Sequence, residues 1–112
     1  MALTAILANL SCSDLGRSTD WFATLFGRAP DATPMPGLAE WHQGAGAGFQ
    51  LHEDAAKAGH GTLTLVVDDL RAERDRLADL APGEVEEADY TTIARMADPD
   101  GNLVVLAQPG RA

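Results

Sequence analysis

The sequence has a single cysteine, Cys12. It can form no internal disulfide and no cysteine-based metal site. Aromatic residues are also scarce, at 5% of the chain, so the expected core is mostly Leu, Val and Ala. Basic residues are outnumbered, with 8 Lys and Arg against 17 Asp and Glu and a net charge of −9. No basic stripe is present to grip phosphates, which removes nucleic acid and anionic membrane from the expected partners. The acidic balance is most simply a solubility feature, and a basic or neutral ligand would meet less long-range repulsion from it than an anion. No run approaches the ~18 apolar residues of a membrane span. The opening Met1-Ala2-Leu3-Thr4 lacks the basic start of a signal peptide. Together these absences lead to the expectation of a cytoplasmic protein.

What is present fits one compact domain: 112 residues, 46% of them hydrophobic. Residues 3–12 read as a strand. Ser13 or Asp14 can cap a following helix, on which Leu15, Phe22, Leu25 and Phe26 share a face and which Gly27 ends. The proline-rich segment 30–37 reads as a loop with at most a short edge strand. Residues 38–43 and 49–52 read as a hairpin around Gly44, Gly46 and Gly48, and that glycine run lacks the Lys and Ser/Thr of a phosphate loop. After a linker, residues 62–67 form the clearest strand, β-branched and apolar. Asp68 or Asp69 caps a second helix over 70–80, which Pro82-Gly83 stops. A short strand near 84–87, one at 91–97 and a buried last strand after the turn Asp98-Pro99-Asp100-Gly101-Asn102 complete the chain.

Shifting the sequence by 55 residues lays Leu10, Cys12, Asp14 and Leu15 on Leu65, Val67, Asp69 and Leu70, and lays Phe49 and Leu51 on Val104 and Leu106. The chain is therefore two copies of one strand–helix–strands unit. In each copy the helix covers one face of its sheet and leaves the other free. Two such sheets side by side can curve round a shared space suited to a ligand.

The segments SDLGRSTDWFATLFG, LTLVVDDL and DPDGNLVVL, in this arrangement, resemble the vicinal oxygen chelate superfamily, the group of glyoxalase I, the bleomycin resistance proteins and the extradiol dioxygenases. The resemblance covers residues 4–107. It implies an α+β fold in which two βαβββ modules form a curved, mostly antiparallel sheet around a concave cleft. Module one would span about 3–53, a linker about 54–60 and module two about 61–108, within a single domain 1–112. The resemblance also implies four metal-ligand positions on inner strand faces. Counted from the motifs they fall on Leu7, Gln50, Thr62 and Val105, two pairs related by the same shift. Leu and Val cannot coordinate a metal and neutral Thr is a poor ligand, so no metal and no cofactor are expected. A shifted set of His52, Gln50 and His60 exists only if the strand carrying Thr62 begins as early as His60.

Three functions follow as alternatives. The first is a metal-free binding protein, similar to the bleomycin-resistance branch, that sequesters or carries an aromatic or cationic compound such as an antibiotic. Its cleft would be lined by Leu7, Asn9, Gln50, His52, Thr62, Thr64 and Val105, with Trp41 as the stacking candidate. Strand alternation puts Trp41 and His42 on opposite faces without saying which is inside. The second is a lyase, isomerase or dioxygenase-like enzyme with a shifted or metal-free active site. Its acid–base candidates are Glu40, His42, His52, His60 and Tyr90, none of them with an assigned role. The third is a structural domain whose concave space is filled. Cys12 has the opposite strand parity to Leu7 and is expected as a buried, inert thiol. The resemblance further implies a homodimer with clefts at the subunit junction.

Overall fold

Each half of the chain is laid down by the same devices: a strand, an aspartate-capped helix, and three further strands. The computed structural model describes residues 1–110. The first module contains β1 (Ile6–Cys12), α1 (Leu15–Phe26), β2 (Ala32–Met35), β3 (Leu38–Gln43) and β4 (Ala47–Glu53). The second contains β5 (Thr62–Val66), α2 (Leu70–Arg76) with a 3-10 turn at Ala78–Leu80, β6 (Glu86–Glu87), β7 (Thr91–Ala97) and β8 (Leu103–Pro109). This is the α+β, two-module architecture expected. The strands form two four-stranded sheets, ordered β1-β4-β3-β2 and β5-β8-β7-β6. Each is mixed: β1 runs parallel to β4 and β5 parallel to β8, while the remaining pairs are antiparallel.

The repeat is written into the registers. Leu7 lies opposite Gly48 as Thr62 lies opposite Leu103, and Glu40 lies opposite Gln50 as Arg95 lies opposite Val105. The helix starts repeat as well. Asp14 accepts from the Arg17 amide and Asp69 from the Ala72 amide, both at 3.1 Å. The end of each module's last strand supplies a second acceptor. Glu53 takes the Leu15 amide at 2.8 Å and Gln108 takes the Leu70 amide at 2.9 Å. These bonds satisfy amides that a helix cannot satisfy internally.

α1 covers the face of its sheet that carries Leu10, Cys12, Ala39, Trp41, Phe49 and Leu51, with Phe22 and Leu25 turned inward. The rings of Phe22, Phe26, Trp41 and Phe49 form one cluster, with Phe22–Phe49 and Phe26–Trp41 centroids 4.8 and 5.4 Å apart. The second module buries Leu63, Leu70, Leu77, Ala94, Met96, Val104 and Leu106. The expected Leu, Val and Ala core thus describes module two, whereas module one concentrates the few aromatics.

Several boundaries differ from the sequence reading: β4 runs Ala47–Glu53 instead of 49–52 and β5 stops at Val66, and three further differences have a visible cause or size. β1 begins at Ile6 because its partner β4 begins at Ala47, opposite Ile6. The second helix is α-helical only to Arg76 and ends in a 3-10 turn closed by Ala81 at φ 54°. The strand near 84–87 shrinks to Glu86–Glu87.

The modules meet along β1 and β5. There the turn after β7 reaches into module one. Asn102 donates to the Ser11 carbonyl at 2.9 Å and to Asp98 at 2.7 Å, and accepts from the Gly61 amide at 2.9 Å. Asp100 accepts from the Ser13 amide at 3.1 Å and from the Ser13 hydroxyl. The linker before β5 passes so close to this turn that a Cβ on Gly59, at φ +86°, would lie 2.5 Å from the Asp100 carbonyl oxygen. Among the described residues no helix is long and apolar enough to cross a membrane.

Candidate functional site

Because α1 and α2 each cover one face of a sheet, strand alternation leaves a second face open in each module. On the first sheet that face carries Leu7 and Asn9 from β1, Glu40 and His42 from β3, and Gln50 and His52 from β4. The pairing sets them in rows, with Asn9 opposite Gln50 and Gln50 opposite Glu40. A hydrogen-bonded chain runs along that row. Asn9 donates to Gln50 Oε1 at 3.4 Å, Gln50 Nε2 donates to Glu40 Oε2 at 2.8 Å, and His42 Nε2 lies 3.1 Å from Glu40 Oε1. The Gln50 amide, and after it the His42 ring, hold the Glu40 carboxyl below the usual carboxylate range. Glu40 therefore presents a fixed anion on a face that is otherwise apolar at Leu7. Leu7 is 43% exposed and lies across Gly48, where a Cβ would sit 2.8 Å from its Cδ2.

The second sheet's open face carries Thr62, Thr64, Val105 and Arg95. Thr64 lies opposite Val105 and Val105 opposite Arg95. Arg95 stands at the position the repeat assigns to Glu40, and it is bound to both Glu86 oxygens at 2.8 and 2.9 Å. The corresponding rows thus carry opposite charges.

Of the residues expected in the site, Leu7, Asn9, Gln50 and His52 share the first open face and Thr62, Thr64 and Val105 share the second. Trp41 does not join them. It is 1% exposed on the opposite face, paired across the strands with Phe49, and its indole N–H donates to the Arg28 carbonyl at 3.0 Å. Burying its rings against α1 and satisfying its one donor there outweighs any exposed stacking role. His42 is consequently the inward alternative, with its side chain 49% exposed. Glu40 and Arg95 complete the rows. Glu40 was legible only as an acid–base candidate, and Arg95 could have been found by applying the repeat to Glu40.

The donor set does not fit a metal. Leu7 and Val105 carry no donor atom, and the Gln50 amide is engaged at both ends, by Asn9 and Glu40. β5 begins at Thr62, so His60 lies in the linker and does not share the strand face that a His52, Gln50, His60 set requires. Among the described residues no three His, Cys, Asp or Glu side chains converge on a common point. Cys12 is fully buried, and burial pushes its thiol up to about 11, which leaves it protonated and unreactive at neutral pH.

A family model described as a glyoxalase-like domain matches residues 6–107. Among solved structures the chain is similar to a glyoxalase/bleomycin resistance protein from Catenulispora acidiphila, with 25% identity, TM-score 0.85 and 93% of this chain and 96% of that one covered. It is also similar in fold to TnmS3, an antibiotic binding protein from Streptomyces sp. CB03234, with 23% identity, TM-score 0.80 and 95% of each chain covered. A bleomycin-binding protein complexed with bleomycin shares the fold at 19% identity and TM-score 0.70, over 92% of this chain and 96% of that one. No functionally curated protein matches the sequence.

Proposed function

The chain belongs to the glyoxalase-like domain family, and on that premise we propose that it is a metal-independent small-molecule-binding protein that holds an aromatic or cationic compound on the open faces of its sheets. The observation that carries this reading is the Asn9–Gln50–Glu40–His42 row beside Leu7. An ionised carboxylate fixed by two neighbours and flanked by an apolar side chain complements a flat, positively charged molecule. Leu7 and Val105, at positions the superfamily resemblance gives to metal ligands, supply walls instead of donors. The antibiotic binding of TnmS3 and the bleomycin complex of the other relative support the same class of ligand. The reading includes a cytoplasmic location, a role in antibiotic resistance and a homodimer. Ile6 and Val66, 68% and 70% exposed, offer apolar surface for pairing. A monomer in light scattering at micromolar concentration would remove the dimer from it.

A second reading, an enzyme of the same fold with a metal-free site, is favoured by the 3.1 Å contact between His42 and Glu40. A carboxylate beside an imidazole on an open face is equipment for proton transfer.

Calorimetry with bleomycin, and with acridine orange as a simple planar cation, tests the proposal. Saturable binding is expected, unchanged by equimolar Zn(II) and weakened about tenfold in Glu40→Gln, a loss of about 1.4 kcal/mol. Binding of neither probe, or tight stoichiometric uptake of zinc, nickel or iron that switches on turnover, would overturn it.

A further inference from the structure

The seam between the modules is plugged at one end and hollow at the other. At the plugged end Asn102 is 1% exposed and bonded to Ser11, Gly61 and Asp98, and Leu10 fills the space where a Cβ on Gly61 would stand. The repeat maps Asn102 onto Ala47 and Asp100 onto Ala45. Neither can rebuild the plug, because the methyl of an alanine spans no gap and offers no hydrogen bond. At that end a cavity of about 470 Å³ remains.

Most of the cavity's lining belongs to the helix side of the two sheets and neither Gln50 nor Val105 takes part, while His42 and Thr64 of the open faces stand at its rim. Ala8 and Phe26 wall it from module one, and Leu65 and Val67 from module two, with Trp41 and Leu77 buried just behind them. Two arginines stand among the lining residues, and each has its own carboxylate: Arg28 pairs with Asp31 at 3.2 Å and Arg76 with Glu73 at 2.7 Å. Arg76 also donates to the Thr24 and Leu25 carbonyls at 2.9 and 2.7 Å. With both guanidinium charges balanced, a charged guest would lose hydration without gaining either of them as an unpaired counter-charge, while a flat apolar one gains aromatic and aliphatic contacts.

We propose that the seam cavity is a second binding site, which takes an uncharged, flat aromatic molecule of drug-like size. The neutral dye N-phenyl-1-naphthylamine tests this, since it fluoresces in apolar surroundings. It is titrated into the full chain carrying Trp21→Phe, so that Trp41 is the only tryptophan. Saturable enhancement with one dye per chain is expected, together with quenching of Trp41 by energy transfer. Ala8→Phe, at an exposed position that lines the cavity, fills it and weakens dye binding about tenfold. Ala47→Asn, which copies the plug at the hollow end, does the same and serves if Ala8→Phe does not fold. Glu40→Gln leaves dye binding unchanged. The proposal is overturned if the dye does not saturate, if the folded filling variants bind it as the parent does, or if Glu40→Gln abolishes its binding, which would place it on the open face.

Discussion

At the scale of single residues, Asp100 shows how one side chain joins two halves of a molecule. Burial pushes its carboxyl up, but the Ser13 hydroxyl and amide, Arg17 and Ser18 outweigh that and hold it below the usual carboxylate range. A depressed folded-state value means that the ionised form stabilises the fold. The contribution is complete above the unfolded value, near pH 4, and is lost as the pH falls through the folded one. Asp100→Asn should therefore lower Tm at pH 7, with the gap to the parent narrowing in acid. Thermal unfolding between neutral pH and about pH 2 checks this, and a gap independent of pH would show that the charge is irrelevant. Trp41 shows the limit of reading residues alone. Alternation established that Trp41 and His42 face opposite ways, but the choice between them is made by the neighbouring strand, which sets Phe49 beside Trp41 and Gly48 beside His42.

At the scale of elements, much was legible because local chemistry decides it. β3 and β7 keep the expected bounds of Leu38–Gln43 and Thr91–Ala97, and α1 runs from its Asp14 cap to Gly27 at φ 74°. The misreadings sit where tertiary partners decide. β1 loses its first residues for want of a partner strand, and the second helix loosens past Arg76, where Leu80 is only partly buried. The repeated caps make a matched pair of predictions. Asp14→Ala and Asp69→Ala should each cost about 1 kcal/mol in urea unfolding, since each leaves one helix amide without its acceptor. The Asp69 change should also be the larger in helical circular dichroism, because α2 has 7 residues against 12 in α1 and less length to hold it together.

At the scale of the whole molecule, the two modules are held by the plug more than by strand pairing, since among the described residues no hydrogen-bonded ladder joins the two sheets. Asn102→Ala would strand the Gly61 amide, the Ser11 carbonyl and one Asp98 oxygen at the closed end of the seam. A loss of about 2 kcal/mol or more is expected. Hydrogen exchange should rise first along β1 and β5, the two strands at the seam, while the inner strands of each sheet stay protected. The open faces were largely visible in the sequence, because the repeat and strand parity fix them together. The hollow end of the seam was not, because it arises from what Ala45 and Ala47 fail to reach across space. Every strand pairing among the described residues and both aspartate N-caps close within their own half, and that closure confers a redundancy. Strand order, register and helix N-cap are each built twice, so one copy can carry a different side chain at a position while its twin keeps the shared framework. Glu40 and Arg95, or Asn102 and Ala47, are such pairs: repeat-related positions that carry different chemistry on one doubled framework.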